Sequence, residues 1–253
     1  MRLVCLGTAG YHPSEQRHTS CYLIPEAGIV LDAGTGMFRL AEHLTTNELD
    51  ILLSHPHLDH VVGLTYLLDV LVQRPLRKIR VWGMSRYLEA VHEHVFHEMI
   101  FPVMPPIEWC PLVDVCCTLP EVPQRPETQL TWFTLDHPGG STGFRLDWPG
   151  RSLAYITDTT ADRESAYISQ IMGVDLLMHE ANFRDDQRSF AEQTGHSTVG
   201  NAIQIAARCE ARRLLLIHQN PLEDGPGSLN LSSIGPGGTL QVSVASDGLT
   251  MEF

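Results

Sequence analysis

One short motif constrains this chain more than any other segment: His55-Pro56-His57-Leu58-Asp59-His60. The apolar residues 50–53 before it predict a strand, and the leucines after it recur at helical spacing. Four potential ligands in six residues at a strand end are typical of a metal site, because imidazole and carboxylate suit Zn²⁺, Mn²⁺ or Fe. Alternate side chains of a tight turn can converge, so we expect His55 and His57 to bind one ion and Asp59 and His60 a second.

Three further polar residues stand where an apolar, buried-looking run ends: His137, Asp158 and His218. A sheet presents the side chains at its strand ends to a cleft, and three more ligands are what two ions need. Asp158 is the expected bridge, since a shared carboxylate can hold two ions roughly 3.5–4 Å apart.

Glu180 and His196 form a second candidate pair. A carboxylate beside an imidazole keeps the ring protonated and ready to donate a proton to a leaving oxygen. The alternative is that Ser197 and Thr198 only cap the following helix, with His196 incidental. His179 points opposite Glu180 on a strand, so we expect a structural role for it.

The remaining polar candidates have structural interpretations. On a helix His92 and His94 point roughly 200° apart and cannot share an ion, so we assign them, with His97, to a polar helix face. Asp32 is expected to orient the metal loop from behind it.

Charge and composition exclude several classes of protein. The chain has 253 residues and a net charge of −13, which argues against a broad electrostatic footprint for nucleic acid. No apolar run approaches the ~20 residues of a membrane span, and the N-terminus resembles a strand rather than a signal peptide. Six cysteines without a C-x-x-C pair fit reduced thiols, expected in the core of a cytoplasmic protein.

The order of elements is rich in strands with interspersed helices, which predicts an α/β fold of sheets covered by helices. Without a repeat or a linker, residues 1–253 are expected to form one domain. A helix is predicted over 85–101 and a Gly/Pro/Ser-rich loop over 224–238. Residues 102–126 hold seven of the 16 prolines and are predicted to be a loop or surface excursion.

These residues resemble the metallo-β-lactamase superfamily, in its ribonuclease Z-like branch of tRNA 3′-end endonucleases. The signature H-x-H-x-D-H matches His55, His57, Asp59 and His60, and the other family ligands fall on His137, Asp158 and His218. The H-S-T motif matches residues 196–198 and the H-E-A motif residues 179–181. The resemblance implies a four-layer αβ/βα sandwich with a dinuclear site at one edge, and a homodimer.

Two departures from that branch concern the substrate. Only 20 residues separate His137 from Asp158, where the family inserts its tRNA-binding arm. In the segment that resembles P-x-K-x-R-N, Glu15 replaces the lysine, which weakens phosphate attraction. The missing arm favours small substrates, whereas the H-S-T motif favours the ribonuclease branch.

The predicted function is phosphodiester hydrolysis by a dinuclear centre, with zinc as the expected metal and manganese or iron as alternatives. The ions would lower the pKa of a bound water and so supply hydroxide, and Asp59 would bind one ion and orient the hydroxide or accept the proton that the water loses. His196, paired with Glu180, would protonate the leaving oxygen, and Arg17 would contact a phosphate. The substrate is expected to be RNA or a small phosphodiester.

Three alternatives remain open from the sequence. A small-molecule hydrolase of the same superfamily would act on a cyclic phosphodiester, a lactone or a thioester. An oxidoreductase is disfavoured, because the redox branch typically places Glu where His57 stands. A non-catalytic binding module predicts vacant or substituted ligand positions, whereas all seven are filled here.

Overall fold

Two seven-stranded sheets pack face to face in the computed structural model, which describes residues 1–122, 125–223 and 240–253. Helices cover the outer face of each sheet, so the predicted four-layer α/β sandwich is confirmed. In chain order, the strands are β1 (Arg2–Gly7), β2 (Cys21–Ile24), β3 (Ile29–Leu31), β4 (Glu48–Leu52), β5 (Lys78–Gly83), β6 (Ile107–Pro111), β7 (Cys116–Thr118), β8 (Gln129–Leu135), β9 (Ser141–Trp148), β10 (Arg151–Ile156), β11 (Leu176–Glu180), β12 (Arg213–Ile217), β13 (Gln241–Val244) and β14 (Thr250–Glu252).

Both sheets change from antiparallel to parallel pairing halfway across. The first has the order β14-β1-β2-β3-β4-β5-β6, and its pairs are antiparallel up to β3 and parallel from β3 to β6. The second has the order β13-β12-β11-β10-β9-β8-β7, antiparallel from β7 to β10 and parallel from β10 to β13. The carboxyl ends of the parallel strands therefore meet at one edge of the sandwich.

Alternation of side chains along the strands builds three apolar layers. On β12, Leu215 and Ile217 join the core between the sheets, whereas Leu214 and Leu216 pack against the helices outside. Because both faces of these strands are buried, their sequences are near-continuous apolar runs.

Six α-helices lie among the described residues: α1 (Leu40–His43), α2 (Leu58–Val61), α3 (Leu67–Gln73), α4 (Ser85–Ala90), α5 (Arg188–Thr194) and α6 (Val199–Arg208). Helix α6 begins where Thr198 caps it, since the Thr198 hydroxyl accepts a hydrogen bond from the Asn201 amide. None of the described helices is both long and apolar enough to cross a membrane.

Two predictions of local structure need correction. The helix expected over 85–101 ends earlier: α4 stops at Ala90 and one π-helical turn, Val91–Val95, follows. Residues 97–100 are exposed, so a helix there would pack no apolar face against the protein, and such packing supplies most of the stability of helices in proteins. Three of the six cysteines, Cys110, Cys116 and Cys117, are also not buried in the core.

The segment 102–126 is more than a loop, although residues 123–124 lie outside the described part. It contributes β6 and β7, each an edge strand of one sheet. Proline is tolerated at an edge, and Pro111 is the last residue of β6. Arg125 fastens the segment to the first sheet through a buried ion pair with Asp50. The loop predicted over 224–238 falls within the undescribed residues 224–239.

Candidate metal centre and active site

The predicted ligands converge at the edge where the parallel strands end. The motif 55–60 follows β4, and helix α2 begins at Leu58, directly after His57. Asp158 follows β10 and His218 follows β12. Polar side chains at the carboxyl ends of parallel strands commonly line a site, since backbone pairing ends there and the loops diverge.

The seven predicted ligands form two groups, and within each group the ligand atoms lie within 4.8 Å of one another. A third group overlaps both, because a ring nitrogen of His196 lies equally close to Asp158 and His218. The first group comprises His55, His57, His137 and Asp158, and the second comprises Asp59, His60 and His218. The motif is therefore divided as its spacing predicts, with two histidines on one side and Asp59 with His60 on the other.

Asp158 lies between the two groups and presents one carboxylate oxygen to each. Its Oδ2 is 3.5 Å from Nε2 of His55 and 3.7 Å from Nε2 of His137. Its Oδ1 is 3.3 Å from Nε2 of His60 and 3.0 Å from Nε2 of His218. This is the arrangement a bridging carboxylate requires.

Two histidines in the loop after β4 are oriented by hydrogen-bonding groups at Nδ1, the ring nitrogen that does not face the other ligands. Nδ1 of His60 donates to Oδ2 of Asp32 over 2.7 Å, and Nδ1 of His55 lies 2.9 Å from the hydroxyl of Ser54. Asp32 also accepts the Ser54 amide and the Tyr155 hydroxyl, both at 2.7 Å. Such outer partners set which ring nitrogen faces a metal, so Asp32 has the position expected for it.

His137 and His218 are held by loops of the second sheet. Nδ1 of His137 donates to the carbonyl of Gly195 over 2.8 Å, and the side-chain amide of Asn182 lies 3.0 Å from Nδ1 of His218. Gly195 has a left-handed φ of 78° at the end of α5, and a Cβ there would come within 2.2 Å of Pro138. Only glycine can therefore turn the chain so that its carbonyl meets His137.

The donor set fits divalent metal ions. Nε2 of His55 is fully buried and has no hydrogen-bond partner among the described residues, which leaves a lone pair aimed at the cluster. Burial lowers the pKa values of His55, His57 and His137, so their rings stay neutral, the form that binds metals. Nitrogen and oxygen ligands of this kind suit zinc as well as manganese or iron.

Around His60 the electrostatics favour a cation. Burial lowers the pKa of His60, but the carboxylates of Asp59, Asp158 and Asp32 outweigh it and raise that pKa well above its usual value. Nε2 of His60 also lies 3.2 Å from Nε2 of His218. Asp59 and Asp158 both lie beside these two facing imidazole nitrogens, so two anions attract a positive charge to the space between them.

Glu180 and His196 form an ion pair beside the two ligand groups, in which Glu180 is buried and His196 is partly exposed. Nδ1 of His196 donates to Oε1 of Glu180 over 3.0 Å, and Glu180 accepts further hydrogen bonds from the amides of Thr159 and Ser197. Burial lowers the pKa of His196, but Glu180 outweighs burial and raises it to about 9. At neutral pH, His196 therefore carries a proton at the edge of the cleft.

The two groups open into a cleft of about 520 Å³. Its wall contains His57, Asp59, His137, Asp158, His196 and His218, together with the apolar side chains of Tyr11, Pro56, Leu58 and Pro138. The amide of Tyr11 donates to Oδ2 of Asp59 over 2.7 Å. The cleft therefore combines an anionic, histidine-rich floor with an apolar rim.

Several predicted residues lie away from the cleft. Arg17 is not part of its wall, and its guanidinium donates to the Thr8 hydroxyl and to the carbonyl of Ala245. His179 is buried on the opposite face of β11, where its Nε2 lies 2.8 Å from the Tyr167 hydroxyl. His92 lies on the π-helical turn against Trp109, as its assignment to a helix face requires.

Sequence reasoning missed the groups that support the ligands through the backbone or across loops. They are Gly10, the Tyr11 amide, Ser54, Asn182 and the Gly195 carbonyl. A Cβ on Gly10 would come within 2.2 Å of the His218 ring, so this position needs glycine. A signal existed only for Asn182, which directly follows the H-E-A motif.

Known proteins resemble the chain over different shares of its length. The ribonuclease Z of Salinibacter ruber is 29% identical over 276 residues, covering 85% of this chain and 84% of that protein. The ribonuclease Z of Halobacterium salinarum is 37% identical over 105 residues, covering 42% of this chain and only 33% of that protein. The crystal structure of the short form of human tRNase Z has the same fold, with a TM-score of 0.75, 22% identity and coverage of 100% of this chain and 99% of that chain.

Residues 28–219 match the family model of the β-lactamase superfamily domain. The matched range includes both ligand groups and the pair Glu180 and His196. The chain therefore belongs to the β-lactamase superfamily, with a metallo-β-lactamase fold.

Proposed function

We propose that the protein is a metal-dependent phosphodiesterase that resembles ribonuclease Z. The observation that carries this proposal is the position of Asp158, whose two oxygens face separate groups of histidines at 3.0–3.7 Å. A carboxylate shared in this way suits a pair of ions that act on one phosphoryl group.

The seven ligands would hold two divalent ions, and zinc is the metal we propose. When bound, such ions supply Lewis acidity, which activates water and neutralises charge that develops on the phosphoryl oxygens. The chain supplies the groups that move protons. His60 and His218 draw the pKa of Asp59 below its usual range even though burial raises it, and the Tyr11 amide fixes its Oδ2.

His196 is the proposed proton donor to the leaving oxygen. Its Nδ1 is held by Glu180, so the other ring nitrogen is available to a substrate in the cleft. Glu180 remains ionised, since the charge of His196 lowers its pKa although burial raises it. Ser197 ties this pair to the loop that carries Asp158, because its hydroxyl donates to the Thr159 carbonyl over 2.6 Å.

Two substrate classes have support. The relatives named ribonuclease Z favour RNA as the substrate. The short connection between His137 and Asp158 favours a small phosphodiester, since it consists of β9, β10 and their turns without an inserted arm. The net charge of −13 favours the small substrate too, because an acidic surface repels a polyanion. A lactone or thioester is the remaining alternative for the same cleft.

One preparation can test these proposals: its bound metal is counted, and hydrolysis of bis-p-nitrophenyl phosphate, a pre-tRNA with a 3′ trailer and an acyl lactone is measured. We expect about two ions per chain and cleavage of the aryl phosphate. Removal of the 3′ trailer would add RNA to the substrates. Two bound ions with turnover of the lactone alone would contradict a phosphodiesterase, and a metal-free protein would contradict the whole proposal.

We also propose a homodimer in the cytoplasm. All six cysteines are free thiols, which suits a reducing compartment. The dimer follows from the likeness to ribonuclease Z. Light scattering on the purified protein measures the oligomeric state directly.

A further inference from the structure

Two large apolar side chains stand exposed at the rim of the cleft. Tyr11 is 80% exposed and Leu58 is 69% exposed, and both contribute to the cleft wall. Adjacent exposed apolar groups beside a polar site mark a surface that a ligand covers. The two ligand groups and His196 would act on the phosphodiester itself. The apolar rim is therefore available to contact a neighbouring part of the substrate.

The backbone fixes Tyr11 relative to the ligand groups. Its φ is +63°, a conformation that side chains other than glycine rarely adopt. Its amide donates to Oδ2 of Asp59, and the amide of Gly10 donates to the carbonyl of Gln219 over 2.9 Å. Since strain of this kind persists only where surrounding contacts enforce it, the loop holds Tyr11 at a defined place beside Asp59.

The side chain of Tyr11, in contrast, has few interactions with the described part of the protein. Among the described residues its hydroxyl forms no hydrogen bond, and its one contact with another aromatic ring is with the neighbouring His12, edge to face at 5.3 Å. A flat ring that is exposed and anchored through its own backbone loses little conformational entropy when it binds a planar group.

We propose that Tyr11 stacks on the base of a nucleotide substrate, next to the phosphodiester held in the cleft. This inference rests on the proposed phosphodiesterase function and specifies its substrate class, a nucleoside ester rather than a simple alkyl ester. An aromatic ring suits this role because every nucleobase offers a π-face, whatever its hydrogen-bonding edge. The Pro56 and Leu58 side chains complete an apolar wall beside the ring.

Two esters with the same leaving group test the proposal by activity. Thymidine 5′-(p-nitrophenyl phosphate) carries a base, and methyl p-nitrophenyl phosphate does not. We expect the wild type to prefer the thymidine ester in kcat/KM by roughly tenfold, the size of one base–aromatic stack. The preference should persist in Tyr11→Phe and fall close to one in Tyr11→Leu and Tyr11→Gly.

Equilibrium binding gives a second readout that does not depend on turnover. Calorimetry on the metal-loaded protein compares adenosine 5′-monophosphate with ribose 5-phosphate, and the wild type should bind the first roughly tenfold more tightly. Tyr11→Gly is the most informative variant, because glycine accepts a positive φ without strain. The midpoint of thermal unfolding of this variant should therefore not fall. Phe38→Leu is the matched control, since Phe38 is exposed but lies outside the cleft wall.

The two readouts separate this inference from the function on which it rests. Equal cleavage of both esters by the wild type would overturn the role of Tyr11 and leave the phosphodiesterase standing. Tyr11-dependent binding of adenosine 5′-monophosphate without cleavage of either ester would support Tyr11 and contradict the phosphodiesterase. If the preference for the thymidine ester survives in Tyr11→Gly but disappears in Leu58→Ala, the rim binds its substrate through apolar contacts with Leu58. That result would overturn stacking on Tyr11.

Discussion

Oε1 of Glu180 lies 3.0 Å from Nδ1 of His196 and forms an ion pair with it, although 15 residues separate the two in the chain. The carboxylate also accepts backbone amides from Thr159 and Ser197, so it is fixed on several sides. His196 in turn lines the cleft. The pair therefore joins a buried anion to a protonated imidazole in the cleft wall.

His196→Ala should lower kcat by about a hundredfold or more while metal content stays at the wild-type level, because a general acid is lost and no ligand of the two groups is touched. Steady-state kinetics and metal analysis on the same sample measure both. His92→Ala changes an exposed histidine outside the cleft wall and should leave kcat unchanged. Loss of metal together with the fold in His196→Ala would give His196 a structural role instead.

Glu180→Gln should move the alkaline limb of the pH–rate profile to lower pH. Glu180 raises the pKa of His196 to about 9 against the effect of burial, so the proton donor of the wild type is present at neutral pH and is lost as the pH rises through that value. Without the carboxylate charge, His196 loses its proton earlier. The measurement is kcat between pH 5 and pH 10, and an unchanged alkaline limb would exclude His196 as the proton donor.

Asp158→Asn should remove more metal than His57→Ala does. Asp158 contacts both ligand groups, whereas His57 belongs to one of them. We expect about one ion per chain to survive in His57→Ala and less than that in Asp158→Asn, because a carboxamide bridges two cations poorly. Metal analysis after dialysis decides this, and equal metal content in the two variants would argue against a bridging role.

Asp32→Ala should weaken metal binding by about 10- to 100-fold, since Asp32 orients His60 without facing the cluster itself. Tyr155→Phe removes one of the hydrogen bonds to the same carboxylate and should have a smaller effect. Competition with a chromogenic chelator gives both affinities. Unchanged affinity in Asp32→Ala would show that the orientation of His60 depends on other contacts.

Asp50→Ala should lower the free energy of unfolding by about 3 kcal/mol, because it leaves the buried guanidinium groups of Arg125 and Arg80 short of their shared anion. Trp82 also loses the acceptor for its indole N–H. Urea unfolding measures the change.

Glu164→Ala is the control for Asp50→Ala. It removes an exposed ion pair with Arg208 and should cost at most about 1 kcal/mol. Similar losses in the two variants would mean that the Asp50 cluster does not anchor residues 102–126.

Local patterns predicted a large part of this architecture. The apolar residues 50–53 correctly predicted the end of β4, and the apolar runs before Asp158 and His218 coincide with β10 and β12, since both faces of these strands are buried. The same reasoning failed for residues 102–126. Edge strands bury only one side and tolerate proline, so β6 and β7 carry a weak apolar pattern.

The sequence by itself determined which side chains stand at the strand ends, because strand length and loop spacing are local properties of the chain. It also determined the division of residues 55–60 between two groups, since a tight turn sets the direction of each side chain. Only the tertiary structure decided that Asp158 faces both groups, that Glu180 forms an ion pair with His196 and that the Tyr11 amide donates to Asp59. These contacts join residues from different loops, and their distances depend on how the sheets pack and twist, which no local pattern encodes.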